Sequence, residues 1–109
     1  MSPEEFEEHV QAALDDVPPE LAQALEDVAI VIEDENPDEP GLFGFYSGLG
    51  AARERAGALP DEIVIYRLPL VERFPEPQEL RRQIRITVLH EVGHFFGLTE
   101  DRIRELGYG

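Results

Sequence analysis

The feature that most constrains the fold is a wide apolar face in the last third of the chain. Apolar residues recur there at helical spacing, which predicts one long helix over about residues 77–96, ended by Gly97. Leu89 and Phe96 widen the face, and a face this wide indicates a helix that packs inside the domain. The main stripe consists of Leu80, Ile84, Val88, Val92 and Phe95. Any fold of this chain must therefore enclose this helix.

The same helix carries His90 and His94, with Glu91 between them. Residues four apart in an α-helix differ by about 40° around the axis and about 6 Å along it, so both imidazoles lie on one side. Such a pair can occupy two corners of a tetrahedral zinc site, and Glu91 lies beside that site, where it can take a proton from water. The pattern H-E-x-x-H therefore predicts a divalent metal site with Glu91 as general base. Two imidazoles and a carboxylate also suit iron, cobalt or nickel.

A third ligand is needed, because catalytic zinc usually has three protein ligands and a water. If the helix continued straight, position 100 would lie about 9 Å beyond His94 and on another face. Gly97 tolerates a positive φ, so the chain can turn back there and bring Glu100 or Asp101 to the metal. Either carboxylate could instead stabilise the positive end of a final short helix. At this point both residues are candidates.

The other predicted helices are shorter. Residues 3–16 have apolar positions at helical spacing, with Ser2 as N-cap, and a second short helix covers about residues 19–26. Thr99 can cap a final short helix that runs through Leu106. Gly93, inside the long helix, admits close packing against it.

The predicted strands form a small sheet. The apolar run at residues 28–32 ends in β-branched residues and predicts a strand buried on both faces. Residues 62–67 predict a second strand, and residues 42–48, which contain two glycines, a third and weaker one. Residues 49–60 predict a loop or one short helical turn. Together with the helices, this arrangement predicts an α+β fold, with helices packed around the sheet.

Composition excludes several classes of function. The chain has 24 acidic and 9 basic residues and a net charge of −15, so we expect neither nucleic acid nor an anionic membrane as partner. Arg81, Arg82 and Arg85 form a basic stripe short enough to be a solvated helix face. The chain has no cysteine, and we find neither a secretory signal nor an apolar run of about 18 residues. These observations predict one cytoplasmic domain over residues 1–109.

With these residues in place, the chain resembles the minimal zincin-like metallopeptidase family of bacteria. The resemblance covers about residues 28–108 and rests on H-E-x-x-H-x-x-G-x-x followed by a carboxylate, together with the segments "LFGFYSG" and "LPDEIVIYR". It implies a minimal zincin-like fold, zinc as cofactor, hydrolysis of peptide bonds and Glu91 as general base. The implied zinc ligands are His90, His94 and Glu100. Related zincins use an aspartate as third ligand, so Asp101 remains the alternative to Glu100.

One departure from larger zincins concerns the support beneath the metal. Those proteins place a methionine-containing turn there, whereas the only methionine here is Met1. Tyr108 is the candidate for this support, because a tyrosine offers both an apolar ring and a hydroxyl. The hydroxyls of Tyr46, Tyr66 and Tyr108 could also donate to the oxyanion formed in hydrolysis, or simply pack in the core. We expect Glu91 and Tyr108 to be the catalytic residues.

Three functions follow as hypotheses. The first is a zinc peptidase whose peptide or protein substrate lies extended along a sheet edge at residues 42–47. The second is a zincin-shaped interaction module with little hydrolytic activity, whose acidic surface binds a basic partner. The third is a metal-free structural domain. Metal analysis distinguishes the third from the other two.

Overall fold

The computed structural model of the protein describes residues 1–51 and 59–108. The α-helices are α1 (Pro3–Asp15), α2 (Pro19–Ala22), α3 (Arg67–Arg73), α4 (Pro77–Phe95) and α5 (Glu100–Glu105). A short 3₁₀ helix, Gln23–Asp27, follows α2. Among the described residues, no helix combines the length and apolar character that crossing a membrane requires.

The sheet is small and mixed. Its strands are β1 (Ala29–Glu33), β2 (Gly44–Ser47) and β3 (Glu62–Tyr66). Among the described strands the order is β1-β3-β2, with β3 parallel to β1 and antiparallel to β2. Helices packed around one small sheet confirm the predicted α+β class.

Helix α4 lies at the centre of the fold and confirms the predicted long helix. Glu76 caps its start, accepting hydrogen bonds from the main-chain N–H groups of Gln78 and Glu79. The helix contacts β2 and β3 on one side and α1 on another. Its stripe is buried among side chains of α1 and β3, and the fully buried ones are Phe6, Ile63, Ile65, Ile84 and Val88. Burial of this apolar face in the core thus also fixes the directions in which the other side chains of α4 point.

The prediction that the strand at residues 28–32 is buried on both faces is wrong. Residues of β1 are half-buried or exposed, whereas β3 is buried from Ile63 to Tyr66. The reason is strand order, because β1 lies at an edge of the sheet and β3 lies between the other two strands. An apolar run reports the hydrophobicity of a strand but not how many neighbours cover it.

The segment that follows β3 also differs from the sequence-based expectation. The second predicted strand ends at Tyr66, and Arg67 begins α3, a helix that the sequence analysis did not anticipate. Pro69 lies in the first turn of α3, where the missing N–H of a proline is tolerated, and Leu70 is fully buried. The loop or helical turn predicted for residues 49–60 falls largely outside the described residues.

Candidate metal centre

The chain reverses direction at the C-terminus of α4. Gly97 has a φ of 83°, in the left-handed region that a side chain rarely adopts. Its N–H donates to the carbonyl of His94 at 3.0 Å, and the N–H of Leu98 donates to the carbonyl of Gly93 at 3.0 Å. This pair of hydrogen bonds is a Schellman motif. The Thr99 hydroxyl then caps α5, which returns along α4 and begins with Glu100.

This reversal brings three potential ligands together, which we call the HHE cluster: His90, His94 and Glu100. One ligand atom from each lies within 4.8 Å of the others. The Nε2 atom of His90 is 3.2 Å from Nε2 of His94 and 3.2 Å from Oε1 of Glu100. The Nε2 atom of His94 is 2.5 Å from the same oxygen. The turn predicted at Gly97 thus places a carboxylate beside both imidazoles.

The spacing fits a tetrahedral metal ion. Ligand atoms bonded to zinc at about 2.0–2.1 Å lie about 3.3 Å apart at a tetrahedral angle. The two distances from His90 match this value, and the shorter one between His94 and Glu100 is a direct hydrogen-bonding distance. The side chain of Glu100 is 57% exposed, so it can withdraw slightly to admit an ion. Two imidazoles and one carboxylate therefore form a suitable donor set.

The orientation of His90 is fixed by the C-terminal turn of α5. Its Nδ1–H donates to the main-chain carbonyl of Tyr108 at 2.8 Å, which leaves Nε2 as the ligand atom. Gly107, with a φ of 93°, provides the turn that brings this carbonyl back towards α4. The support that we expected from the ring and hydroxyl of Tyr108 thus comes from its carbonyl oxygen. A catalytic role for the hydroxyl stays a prediction.

Glu91 lies beside the cluster but in different surroundings. It is only 7% exposed and packs against the first residue of β2, where a Cβ added to Gly44 would lie 3.2 Å from Oε2 of Glu91. Burial raises the pKa of Glu91, although the charges of His90 and His94 oppose this shift. Partial burial also acts to raise the pKa of Glu100. The hydrogen bond with His94 and the nearby imidazoles have the larger combined effect, and the pKa of Glu100 is lowered. Glu91 is therefore the more basic of the two carboxylates.

A groove adjoins the cluster between the start of β2 and α4. It has a volume of about 340 Å³. Its walls are mostly uncharged, and His90 and Glu91 lie among its lining residues. Other residues that line the groove include Leu42, Phe43, Gly44, Ile86 and Thr87. The groove gives a bound molecule access to Glu91 and to the His90 side of the HHE cluster.

The other candidate residues lie outside the HHE cluster. Asp101 is 87% exposed at its side chain and pairs with Arg104 at 3.3 Å. The Tyr46 hydroxyl donates to Asp61 at 2.6 Å. The Tyr66 hydroxyl accepts a hydrogen bond from Asn36 at 2.9 Å.

One buried carboxylate was missed by the sequence analysis. Asp61 is fully buried and accepts hydrogen bonds from the N–H groups of Leu49 and Gly50, at 3.0 and 2.9 Å. This arrangement depends on Gly48, because a Cβ there would lie 2.2 Å from the Asp61 carboxyl group. The N–H of Ala51, the residue after Gly50, donates to the carbonyl of Phe95 at 2.9 Å and so connects the turn after β2 to the end of α4. In the sequence, the two closely spaced glycines Gly48 and Gly50 were the available sign of a tight turn around this carboxylate.

Comparisons with known proteins agree with this arrangement. The profile of the zincin-like metallopeptidase family matches residues 25–109. A solved structure, that of a conserved hypothetical protein from Thermus thermophilus, is similar in fold, with a TM-score of 0.61 and 22% identity over 97% of each chain. No curated protein matches the chain significantly. The family match spans both the sheet and the HHE cluster, and the chain belongs to the zincin-like metallopeptidase family.

Proposed function

We propose that this protein is a zinc-dependent peptidase. The observation that carries the proposal is the convergence of His90, His94 and Glu100 at one point, with the buried Glu91 carboxylate next to them. Membership of a metallopeptidase family supports the same conclusion. The alternative of an interaction module shares the fold, but it does not account for a buried carboxylate beside a cluster of ligands.

In this proposal, His90, His94 and Glu100 hold the metal. When bound, zinc polarises a substrate carbonyl and lowers the pKa of water towards about 7. The hydrogen bond from His90 to the Tyr108 carbonyl keeps Nε2 of His90 directed at the site. The acidic side chain of Glu100 completes a donor set with a single negative charge, and this set leaves the site one net positive charge when zinc is present.

Glu91 acts as the general base. Its carboxylate accepts a proton from the attacking water and then donates that proton to the departing amine. Burial acts to raise the pKa of Glu91, which favours transfer of a proton to its carboxylate. Packing against β2 holds the side chain in place for this transfer.

The substrate is a peptide that lies extended along β2. The N–H of Tyr66 donates to the carbonyl of Phe43 at 2.8 Å, so alternation in the antiparallel pair directs the peptide groups of Gly44 away from β3. A substrate strand can pair with such an edge and place one side chain in the groove beside Glu91. The net charge of −15 favours basic peptides.

The test combines metal analysis with one substitution. Glu91→Gln keeps the size of the side chain but removes the base, so we expect zinc binding to persist while peptide cleavage falls by about 10²–10⁴-fold. Glu8→Gln, on the exposed face of α1, is the matched control and should change neither quantity. Turnover by Glu91→Gln at the wild-type rate would contradict the assigned role.

A further inference from the structure

We infer that Gly93 is a positioning residue: the absence of a side chain there sets the place of Glu100 in the metal site. The inference rests on the proposed metal site and concerns how the chain builds it. Gly93 has no group that could bind a metal or substrate. It acts through Ile103, the residue of α5 that packs against it.

The contact between Gly93 and Ile103 lies on the metal-binding face of α4. Residues His90, Gly93 and His94 are spaced at i, i+3 and i+4, so they share that face. Ile103 is 1% exposed. A Cβ added to Gly93 would lie 2.9 Å from Cγ1 and 3.0 Å from Cδ1 of Ile103. Helix α5 can therefore approach α4 this closely only because residue 93 has no side chain.

Ile103 is connected to both sides of the HHE cluster. It lies three residues after Glu100, so the two side chains share one face of α5. The carbonyl of Ile103 also accepts a hydrogen bond from the N–H of Tyr108 at 3.1 Å, and the carbonyl of Tyr108 orients His90. The depth at which Ile103 packs thus determines the distance of Glu100 from His94 and the position of the carbonyl that supports His90.

We expect a methyl group at position 93 to displace α5. Ile103 is almost fully buried, and its Cγ1 atom, 2.9 Å from the new Cβ, can move away only by a change of χ1 or of the backbone. A β-branched residue in a helix has one strongly preferred χ1 rotamer, so the contact is relieved most easily by a shift of α5. Alanine is a better helix former than glycine, so the substitution does not weaken α4 through helix propensity. A loss of metal affinity would therefore come from the contact with α5.

The first experiment is zinc titration of Gly93→Ala with the full chain, alongside circular dichroism and thermal unfolding. We expect the zinc dissociation constant to rise by about 10–100-fold, as for loss of other groups that orient metal ligands. Gly41→Ala is the matched control, because a Cβ there meets no atom within 4 Å, and its dissociation constant should stay within about twofold of wild type. A folded Gly93→Ala protein that binds zinc as tightly as wild type would overturn the inference.

A double variant separates positioning from general destabilisation. Ile103→Ala removes the two atoms that would lie 2.9 and 3.0 Å from a Cβ at residue 93, so Gly93→Ala combined with Ile103→Ala should bind zinc more tightly than Gly93→Ala alone. If Gly93 served only as core packing, Gly93→Ala would lower the thermal stability of the metal-free protein but leave the zinc affinity of its folded form unchanged. If Gly93→Ala alone does not fold, the single Ile103→Ala variant decides. It should weaken zinc binding, and unchanged binding would overturn the inference.

These results can be distinguished from failure of the peptidase proposal, because the readouts that test Gly93 are zinc affinity and folding rather than peptide cleavage. A wild-type protein that binds zinc without cleaving peptides would contradict the proposed function. The zinc titrations of the Gly93 variants would still decide the role of Gly93. A wild-type protein that binds no divalent metal would overturn both. Unchanged zinc affinity in folded Gly93→Ala, together with peptide cleavage, would overturn the inference on Gly93 alone.

Discussion

The two carboxylates of the site, Glu91 and Glu100, lie in opposite surroundings. Glu91 is on the central helix and packs against β2, so its position is set by the core of the domain. Glu100 is on a short helix after a glycine turn, with more than half of its side chain exposed. The proton-transfer group is thus placed by rigid packing, whereas the third ligand is placed by a turn and one buried contact.

The largest effect on zinc affinity is expected at the third ligand. Glu100→Ala should weaken zinc binding by at least about 100-fold, more than is usual for groups outside the ligand set. Asp101→Ala is the matched control, because Asp101 is exposed and pairs with Arg104 rather than joining the HHE cluster. Isothermal titration of both variants measures the difference. Loss of zinc in the Asp101 variant with retention in the Glu100 variant would reverse the assignment.

A second, smaller effect is expected on the Glu91 side. A Cβ at Gly44 would lie 2.9 Å from Cγ2 of Thr87 and 3.1 Å from Cγ of Glu91, so Gly44→Ala should displace the base. We expect turnover to fall by about 10–100-fold, as for misplacement of a reacting group by about 1 Å. Zinc affinity should change less, because the atoms nearest to a Cβ at Gly44 belong to Thr87 and Glu91 and not to the three ligands.

A partner substitution tests whether that effect passes through Glu91. Thr87→Ser removes the Cγ2 methyl group, so in combination with Gly44→Ala it should recover thermal stability. Overpacking of this kind costs about 1–3 kcal/mol. The contact of the new methyl group with Glu91 remains, and turnover should therefore stay low. Full recovery of both stability and turnover would place the effect at Thr87 instead.

The smallest effect is expected at Tyr108. Tyr108→Phe keeps the main-chain carbonyl that accepts the hydrogen bond from His90, so zinc affinity should stay within about twofold of wild type. A larger loss of affinity would show that the tyrosine hydroxyl also supports the metal site. Turnover by the same variant tests the catalytic role that the sequence analysis expects for the hydroxyl.

The features that the sequence predicted well are those encoded by short-range spacing. The stripe of α4, the shared side of His90 and His94 and the stop at Gly97 all follow from helical geometry and the conformational freedom of glycine. From the sequence, the turn at Gly97 could bring either Glu100 or Asp101 to the imidazoles. The structure brings Glu100 rather than Asp101 to the imidazoles, because adjacent residues on α5 differ by about 100° around its axis.

The features that were missed depend on long-range packing or on main-chain atoms. The exposure of β1 depends on which strand occupies the centre of the sheet, and the five residues of β1 do not determine that order. The support of His90 comes from a carbonyl of Tyr108, a group that every residue carries and that leaves no trace in the sequence. Burial of Asp61 depends on three donors from a distant turn and strand.

The most direct test of the account is a crystal structure of the zinc-loaded protein, with anomalous diffraction measured at the zinc edge. We expect one strong peak about 2.0–2.2 Å from Nε2 of His90, Nε2 of His94 and a carboxylate oxygen of Glu100, with Glu91 beside it. A peak bound by Asp101 instead of Glu100, or no peak between the two imidazoles, would contradict the central claim.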